Sequence, residues 1–414
     1  MPNLDKRKFI YILERWAKVF YKINENIEEL NSIYKKFNQD IPYKEFSKDE
    51  LENIPNLPTV ENKNNIEHFY NISIKNFRQF KSIELENIGQ FNLILGDNNV
   101  GKTSLLEALL FSSDKDLYFK NLIFAYSSRV NLLNFKNPND FILDIINNNS
   151  DSKEIEFKLK ENRDEQIYKL KIPTQDEVRN KYNIQDDIDL DKYICIVLDD
   201  NICDINTISL ILDKIKPIDL IQTQYIPYGK GFDRDLVKVY AENIDRSRTK
   251  RKDFLESMKI FIPKIDRITT DTDEGKIYIE EIDSYSDVPL HQYGEGAKKL
   301  FRILVQITLQ KGNKLLIDEI DAGIHYSHFN EFWKVVLKVA KLNDVQIFAT
   351  THNMECIGYF KEVLEEEEMK VYQELSRTIT LEKVFDNNIK VYTRTFEEFE
   401  YEIDNNLEIR GDDL

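Results

Sequence analysis

The sequence contains few cysteines and no long apolar run, and these shortages exclude two classes of protein. Only Cys195, Cys203 and Cys356 are present among 414 residues, and no two of them form a CxxC pair. Free reduced thiols fit this usage, whereas a disulfide framework does not. No stretch reaches the length of about 18 apolar residues that a membrane-spanning helix needs. The amino-terminal segment MPNLDKRKFI also lacks the apolar core of a signal peptide. We therefore expect a cytoplasmic protein without a membrane segment.

Basic residues are outnumbered by acidic ones, which argues against a general nucleic-acid coat protein. Lysine and arginine total 57 against 74 aspartates and glutamates, and the formal net charge is -17. Coat proteins of this kind are usually basic, although a local basic groove can exist on an acidic protein. The run RSRTKRK at 246–252 is such a local feature. It could contact DNA phosphates, form a solvated helix face, or bind an acidic partner.

Glycine is scarce as well, and the few glycines are concentrated in short segments. Of the 12 glycines, five lie in segments that we interpret as nucleotide-binding motifs: Gly96, Gly101, Gly294, Gly296 and Gly323. These glycines are therefore concentrated in the proposed motifs and are not scattered among ordinary loops. Hydrophobic residues make up 41% of the chain, which is enough to bury a sizeable core around such motifs.

The segment GDNNVGKTSLL at 96–106 has the glycine spacing and the Lys-Thr pair of a phosphate-binding loop. The apolar stretch FNLIL before it predicts a strand, and SLLEALLF after it predicts a helix. Backbone amides of such a loop and of the helix amino terminus point at phosphates. Lys102 would then reach the β and γ phosphates, and the Thr103 hydroxyl would bind Mg²⁺. ATP and Mg²⁺ are therefore the predicted cofactors.

The segment KLLIDEID at 314–321 predicts a buried parallel strand that ends in acidic residues. Asp318 at the strand end can hold Mg²⁺ through water, and Glu319 can orient or deprotonate an attacking water. Two adjacent carboxylates repel each other unless a cation lies near them. Alone, the segment could be a strand end with solvated acids. Together with the loop at Gly96, it predicts a hydrolytic site.

Two further segments complete the predicted site. FATTHN at 348–353 predicts an apolar strand followed by His352, whose imidazole could donate a hydrogen bond to the γ phosphate. YGEGAKKL at 293–300 places glycines at the start of a helix, a second amino terminus suited to phosphate. The alternative for His352 is an ordinary surface or core histidine, and the alternative for YGEGAKKL is a simple turn. The order of the segments along the chain disfavours both alternatives.

Taken in order, these segments resemble a known family. IKNFRQF, GDNNVGKTSLLEALL, YGEGAKKL, LLIDEIDAGIHYS and FATTHN together resemble the ABC-type ATPases of the RecF, SMC and OLD branch. The resemblance is closest to OLD-like ATP-binding proteins of bacterial antiphage defence systems, and it covers about residues 68–410. It implies an α/β fold: an ABC-type P-loop ATPase head with a mixed sheet and flanking helices. A helical amino-terminal extension and an inserted segment of helix and strand would be added to that head.

The resemblance also implies how the site is assembled. ATP would lie between the Gly96 loop of one subunit and the YGEG helix of a second subunit, so a homo-oligomer is expected. Arg78 would lie near the adenosine, and Asn98 matches the family's G-x-N pattern. The predicted nucleotide-contacting residues are Arg78, Gly96, Asn98, Asn99, Gly101, Lys102, Thr103, Ser104, Gly294, Glu295 and Gly296. The predicted metal-binding residues are Thr103 and Asp318, and the predicted catalytic residues are Glu319 and His352.

The sequence departs from the family pattern at three points. Gly294 stands where transporter signatures have serine, and His325 replaces the acid common after the catalytic glutamate. A glutamine loop is not assigned, although Gln222 and Gln224 are possible members.

His325 and His328 also form an H-x-x-H pair, but without a third ligand a metal site is disfavoured.

The expected organisation has four parts. Residues 1–65 would form an amphipathic helical extension and linker, and 66–235 an ATPase lobe with the phosphate loop and a β-rich insertion. Residues 236–264 would form a helical basic arm, and 265–414 a second ATPase lobe. The apolar stripe of the helix predicted at 5–37 could pack on the main domain or form an oligomer contact.

The favoured function is an ATP-hydrolysing sensor or regulatory scaffold that controls a separate nuclease or toxin. OLD nucleases carry a Toprim domain after the ATPase, and the 62 residues that follow His352 are too few for one. A RecF- or SMC-like ATPase that binds DNA itself is the alternative. A transporter ATPase and a nucleotide-bound scaffold without useful hydrolysis are weaker interpretations.

Overall fold

The computed structural model describes most of the chain after residue 67. The described ranges are 68–111, 154–161, 164–171, 195–198, 201–204, 224–228, 234–259, 261–284, 286–384 and 388–409, with single or paired positions between 121 and 180. All of them belong to one compact unit, Ile66–Leu414. The predicted extension and linker at 1–65 lie outside the described residues, and that prediction stands as made.

The strand before Gly96, the helix after it, and the strands before Asp318 and His352 lie where the sequence predicted them. The strands are β1 (Asn71–Phe77), β2 (Phe80–Leu85), β3 (Phe91–Gly96), β4 (Glu154–Glu161), β5 (Asp164–Lys171), β6 (Cys195–Leu198), β7 (Asn201–Asp204), β8 (Tyr225–Ile226), β9 (Ile265–Asp271), β10 (Lys276–Glu281), β11 (Val288–Pro289), β12 (Lys314–Ile317), β13 (Gln346–Thr350), β14 (Ser376–Lys383) and β15 (Ile389–Arg394). The α-helices are α1 (Lys102–Leu109), α2 (Arg234–Tyr240), α3 (Arg248–Lys259), α4 (Gly294–Leu309), α5 (Phe329–Leu342), α6 (Met354–Glu365) and α7 (Phe396–Asp404). A π-helical segment, Ala241–Asp245, joins α2 to the region before α3.

A mixed sheet forms the centre of the fold. Its strand order is β15-β14-β3-β13-β12-β8. All neighbouring pairs are parallel except β14 with β15. Strand β13 therefore separates β3, which leads into the phosphate loop, from β12, which ends before the two acids. Because the strands are parallel, the carboxyl ends of β3, β13, β12 and β8 meet at one edge.

This sheet is buried on both faces because alternate residues of each strand point to opposite sides. Leu315 and Ile317 of β12 belong to one core, which also contains side chains of α2 to α7. Leu316, between them, belongs to a second core with α1 and the strands that precede it. Strand β13 follows the same rule, since Phe348 joins the second core and its neighbours join the first. The continuous apolar runs in the sequence arise from this two-sided burial.

Two antiparallel sheets complete the described architecture. One has the order β2-β1-β4-β5-β6-β7 and packs over α1. The other has the order β11-β10-β9, with β9 and β10 joined by the turn at Gly275. β4 pairs antiparallel with β5, which follows it directly in the chain order. No helix in the described residues is long and apolar enough to cross a membrane.

The predicted α/β class is confirmed, because helices pack on a central mixed sheet. The central sheet takes β3 and β8 from the first predicted lobe and β12 to β15 from the second. The division into lobes at 66–235, 236–264 and 265–414 stays a prediction.

Candidate nucleotide-binding site

The loop between β3 and α1 has the backbone conformation that the glycine spacing predicted. Gly96 has a φ of +146°, and a Cβ built there would lie 2.8 Å from the carbonyl oxygen of Leu381. Gly101 has a φ of +111° immediately before α1, and its Cβ would collide with the side chain of Gln79. A side chain at Gly96 would press on backbone, whereas at Gly101 the Gln79 side chain could move aside, but the positive φ would remain strained for any other residue.

Lys102 folds back over this loop. Its Nζ donates to the carbonyl oxygens of Gly96 at 2.6 Å and Asp97 at 2.8 Å. The ammonium is thereby held above the space that the loop and the amino terminus of α1 surround. A phosphate in that space would meet both a positive side chain and backbone amides.

Asp318 follows β12 and is hydrogen-bonded by three hydroxyl groups from three other parts of the fold. Thr350 Oγ1 donates to its Oδ1 at 2.8 Å, and Thr103 Oγ1 donates to the same oxygen at 3.3 Å. The Tyr225 hydroxyl donates to Oδ2 at 3.4 Å. Asp318 is buried. The three hydroxyls thus hold both oxygens of the Asp318 side chain in place.

Glu319 occupies a strained position beside Asp318. Its φ is +45°, in the left-handed region that residues other than glycine, asparagine and aspartate seldom adopt. Its backbone N–H donates to Thr350 Oγ1 at 2.8 Å. Burial raises the pKa of the Glu319 carboxyl, and the charges of Asp318 and Asp321 add to this shift, while His352 opposes it. A raised pKa brings a carboxylate closer to the range of an effective general base.

These groups border one cleft of about 720 Å³. Its lining residues are Gln79, Asn98, Asn99, Gly101, Lys102, Thr103, Ser104, Tyr225, Pro227, Tyr228, Asp318 and Glu319. Eight of these were predicted from the sequence. Thr103 and Asp318, predicted as metal-binding residues, lie within hydrogen-bonding distance of each other. The backbone amides of a glycine loop, a lysine and a hydroxyl beside a buried carboxylate fit a nucleotide with Mg²⁺.

The sequence reasoning missed four lining residues. Gln79 follows Arg78 in the quoted segment IKNFRQF, so its position was available, but only the arginine was singled out. Tyr225, Pro227 and Tyr228 follow or form the two-residue strand β8. A strand of that length has no periodic pattern, so nothing in the sequence pointed to it. Gln224 faces away from the cleft and bonds with Asn121, and Gln222 lies outside the described residues.

Arg78 does not line the cleft. Its Nε lies 2.6 Å from Oε2 of Glu107, whose side chain is almost fully buried on α1. Arg78 also has a positive φ of 48°, and its backbone N–H donates to the Ile145 carbonyl at 2.7 Å. The described contacts of Arg78 therefore tie the β1–β2 turn to α1. The predicted contact with adenosine stays a prediction.

The glycines at the start of α4 also lie outside this cleft. Gly294 has a φ of +86°, and open space surrounds the position where its Cβ would be. Gly296 packs more closely, because its Cβ would lie 3.3 Å from the Gly323 carbonyl and from the Phe261 ring. Glu295 is exposed and pairs with Lys298. These residues thus present an open helix amino terminus that the chain's own phosphate loop does not use.

Lys299, one turn further along α4, lies close enough to the acids of the site to interact with them electrostatically. Its side chain is buried, and its ammonium has no hydrogen-bond partner in the part of the chain that the structure describes. Burial lowers the pKa of Lys299 to about 8, and nearby Arg302 contributes, although Asp318 and its neighbouring acids oppose the shift. Sequence pattern gave no signal for this residue.

The H-x-x-H pair does not form a metal site with other ligands in the described residues. His325 Nδ1 lies 2.9 Å from the Ser327 hydroxyl, and its ring packs against Tyr326. His328 packs against Phe261. Within the described residues, no group of three or more His, Cys, Asp or Glu side chains is arranged to hold a metal ion.

Comparisons with known families identify the kind of site. A family model described as "AAA ATPase domain" matches residues 68–251, which include the phosphate loop. A second model, described as "AAA domain, putative AbiEii toxin, Type IV TA system", matches residues 224–357, which include Asp318, Glu319 and His352. The two models together span the elements that surround the cleft. The chain is a P-loop ATPase. The prediction of an ATP-hydrolysing enzyme is thereby confirmed.

Among curated proteins, this ATPase is 24% identical over 334 residues to the "ATP/GTP phosphatase" of Helicobacter pylori, a match that covers 72% of the chain and 88% of the relative. It is also 47% identical over 49 residues to "Endonuclease GajA" of Bacillus cereus, which covers 12% of the chain and 8% of that protein. Among solved structures, an SMC head bound to the C-terminal winged-helix domain of ScpA matches 81% of the chain and 99% of that head, with a TM-score of 0.48 and 15% identity. The relatives of this ATPase thus include enzymes named for phosphatase and endonuclease activity.

Proposed function

We propose that this ATPase binds ATP with Mg²⁺ in the cleft and hydrolyses it with residues from three strand ends. The observation that carries the proposal is the meeting of Lys102 and Thr103 with Asp318 and Glu319 around one space. Loop amides and Lys102 bind the phosphates, and Thr103 with Asp318 hold the metal. Glu319 takes the proton of the attacking water, and His352 lies beside it. Mg²⁺, when bound, neutralises charge on the phosphates.

We further propose that two copies of the chain close around the nucleotide. The amino terminus of α4 is open at Gly294 and outside the cleft of its own chain. Helix amino termini attract phosphate oxygens. A second copy would supply Gly294, Glu295 and Gly296 to the γ phosphate, so the homo-oligomer would close only with ATP present.

The proposed biological role is that of a cytoplasmic ATP-switched sensor or scaffold in an antiphage defence system, which controls a separate nuclease or toxin. Three findings support this role: the OLD-like motif order, the toxin–antitoxin description of one family model, and the short match to a protein named as an endonuclease. Asp318 and Glu319 both line the proposed ATPase cleft. Hydrolysis is therefore the reaction that the described residues support, and it can drive a switch.

Incubation of the purified chain with Mg²⁺, ATP, plasmid DNA and total tRNA tests this role. We expect ATP turnover with intact nucleic acids, and co-purification with a protein encoded beside this gene. A Glu319→Gln variant should bind ATP and run as a larger particle on size-exclusion chromatography with light scattering. Cleavage of nucleic acid that persists in Glu319→Gln would contradict the separation of ATPase from effector.

One observation favours a second function, direct DNA binding like that of RecF or SMC proteins. All five basic residues of the run at 246–252 are exposed, and residues 248–252 of the run form the start of α3, whose first turn has no acidic residue. Positive side chains are disfavoured at a helix amino terminus. Asp245 lies 3.5 Å from Arg251, and a DNA phosphate backbone would offset the remaining positive charge. Duplex affinity that falls steeply with salt, and falls less in a variant lacking these charges, would support this function.

A further inference from the structure

Thr350 is buried behind the cleft and is hydrogen-bonded to Asp318 and Glu319, which line it, although no motif includes Thr350 as a reactive residue. It ends β13, the strand between β3 and β12, and it pairs with Ile94 of β3. Its side chain is fully buried. The preceding residues of β13, Ile347, Phe348 and Ala349, are apolar and pack into the two cores. A hydroxyl at this place therefore interrupts an apolar strand, and it costs free energy unless it is hydrogen-bonded.

The directions of the Thr350 hydrogen bonds are fixed by chemistry. The backbone N–H of Glu319 can only donate, so Thr350 Oγ1 accepts from it at 2.8 Å. The single hydroxyl proton then points to Asp318 Oδ1, also at 2.8 Å. An ionised carboxylate can accept that bond and cannot donate one. One hydroxyl thus joins the Asp318 side chain to the Glu319 backbone.

The backbone of Thr350 reinforces this connection. The N–H of Ile320 donates to the Thr350 carbonyl at 3.0 Å. Glu319 is therefore held on both sides by Thr350, through its own N–H and through that of the next residue. Its φ of +45° is a strained value for glutamate. Such conformations persist where surrounding contacts impose them, and they are concentrated at active sites.

The other donor to the same oxygen of Asp318 is less favourably placed. Thr103 Oγ1 lies 3.3 Å from Asp318 Oδ1, against 2.8 Å for Thr350. Thr103 belongs to the phosphate loop and is exposed to the cleft, whereas Thr350 is buried beneath it. The Thr350 bond can persist while Thr103 is engaged by a ligand of the loop.

We propose that Thr350 is a positioning residue for ATP hydrolysis, whose hydroxyl and carbonyl fix the Asp318 side chain and the Glu319 backbone relative to each other. The inference rests on the proposed function of this cleft. The role that we assign to Thr350 at the end of β13 is separate from that of His352, which follows two residues later. Loss of the hydroxyl would leave the Glu319 N–H without that acceptor and release the turn that carries the proposed base.

The test compares Thr350→Val, which keeps the shape and removes the hydroxyl, with Thr350→Ser, which restores the hydroxyl. Thr380→Val is the matched control. Thr380 is also a buried strand threonine, and its hydroxyl donates to the Ile409 carbonyl at 2.8 Å, away from the cleft. If Thr350→Val is insoluble, Thr350→Ala removes the same hydroxyl without changing the strand's apolar character.

Two measurements are made on each variant. In the nucleotide-free protein, hydrogen exchange of the amides of Glu319 and Ile320 should be faster in Thr350→Val and unchanged in Thr350→Ser and Thr380→Val. With Mg²⁺ and ATP, kcat of Thr350→Val should fall about tenfold or more, while ATP affinity changes by less than about threefold. Thr350→Ser should recover most of the lost kcat.

The outcomes separate this inference from the function on which it rests. A wild-type protein without ATP turnover would overturn the proposed function. Normal turnover in wild type with unchanged kcat in Thr350→Val would overturn the positioning role alone. A serine variant as slow as the valine variant would show that the hydroxyl does not sustain turnover, and it would equally overturn the role of the hydroxyl.

Discussion

His352 Nδ1 lies 3.8 Å from Oε1 of Glu319, across the gap between the ends of β13 and β12. Both side chains are partly exposed, at 51% for His352 and 32% for Glu319. The imidazole is near enough to lower the pKa of the Glu319 carboxyl, which burial raises. At the edge of the cleft, burial therefore raises the pKa of the proposed base, Glu319, and the His352 imidazole lowers it. Solvent and a nucleotide can both reach it there.

Replacing Lys102 with alanine should weaken nucleotide binding because a positive charge next to the phosphates is lost. A charge-assisted hydrogen bond contributes about 1.5–3 kcal/mol, which corresponds to a loss of about 10- to 100-fold in affinity. Titration with a fluorescent ATP analogue measures the effect. Lys311→Ala, at an exposed position after α4, is the control and should bind normally. Equal affinity of Lys102→Ala and wild type would mean that the loop is not the site.

Replacing Glu319 with glutamine should preserve ATP binding and slow hydrolysis. The amide cannot take a proton from water, and removal of a positioned base costs about 10²-fold in rate or more. A phosphate-release assay at saturating ATP measures kcat. Glu331→Gln, on the exposed face of α5, controls for the loss of one negative charge. Turnover near the wild-type rate in Glu319→Gln would assign the base to another residue.

The same variant should change the pH dependence of stability. Burial raises the folded-state pKa of Glu319 above its ordinary value of 4.5, so its charged form destabilises the folded protein. That destabilisation is present above the raised pKa and absent below 4.5, where the group is protonated in both states. In nucleotide-free protein at about pH 8, we expect a higher Tm for Glu319→Gln than for wild type. The difference should shrink as the pH falls through the raised pKa, and an equal or lower Tm at pH 8 would contradict this.

Replacing Arg78 with methionine should destabilise the fold through its partner on α1. The Glu107 carboxylate is 2% exposed, and the variant would leave it without the Arg78 cation at 2.6 Å. Removing one partner of a buried ion pair costs about 3–5 kcal/mol. Chemical denaturation measures this loss, and the double variant with Glu107→Leu should recover part of it. ATP affinity of the folded fraction tests the adenosine contact separately, since that contact predicts weaker binding as well.

The sequence by itself determined the local parts of this protein. A strand, a glycine loop and a helix are contiguous at residues 91–109, so their order and spacing were sufficient to predict the phosphate loop. The acids after β12 and the histidine after β13 were found in the same way, because each follows an apolar run that two-sided burial requires. In each case the residues of the motif are adjacent in the chain to the strand or helix that they predict.

Only the tertiary structure decided which of these parts touch. Thr103 and Asp318 meet across 215 residues of sequence, and Thr350 reaches Asp318 from a strand 32 residues later. The position of β13 between β3 and β12 makes these contacts possible, and strand order leaves no periodic trace in a sequence. The same applies to the Arg78–Glu107 pair and to Tyr225, which is brought to Asp318 by a two-residue strand. Side-chain periodicity reports which face of an element is buried, whereas the neighbour across that face is set by the packing of the whole sheet.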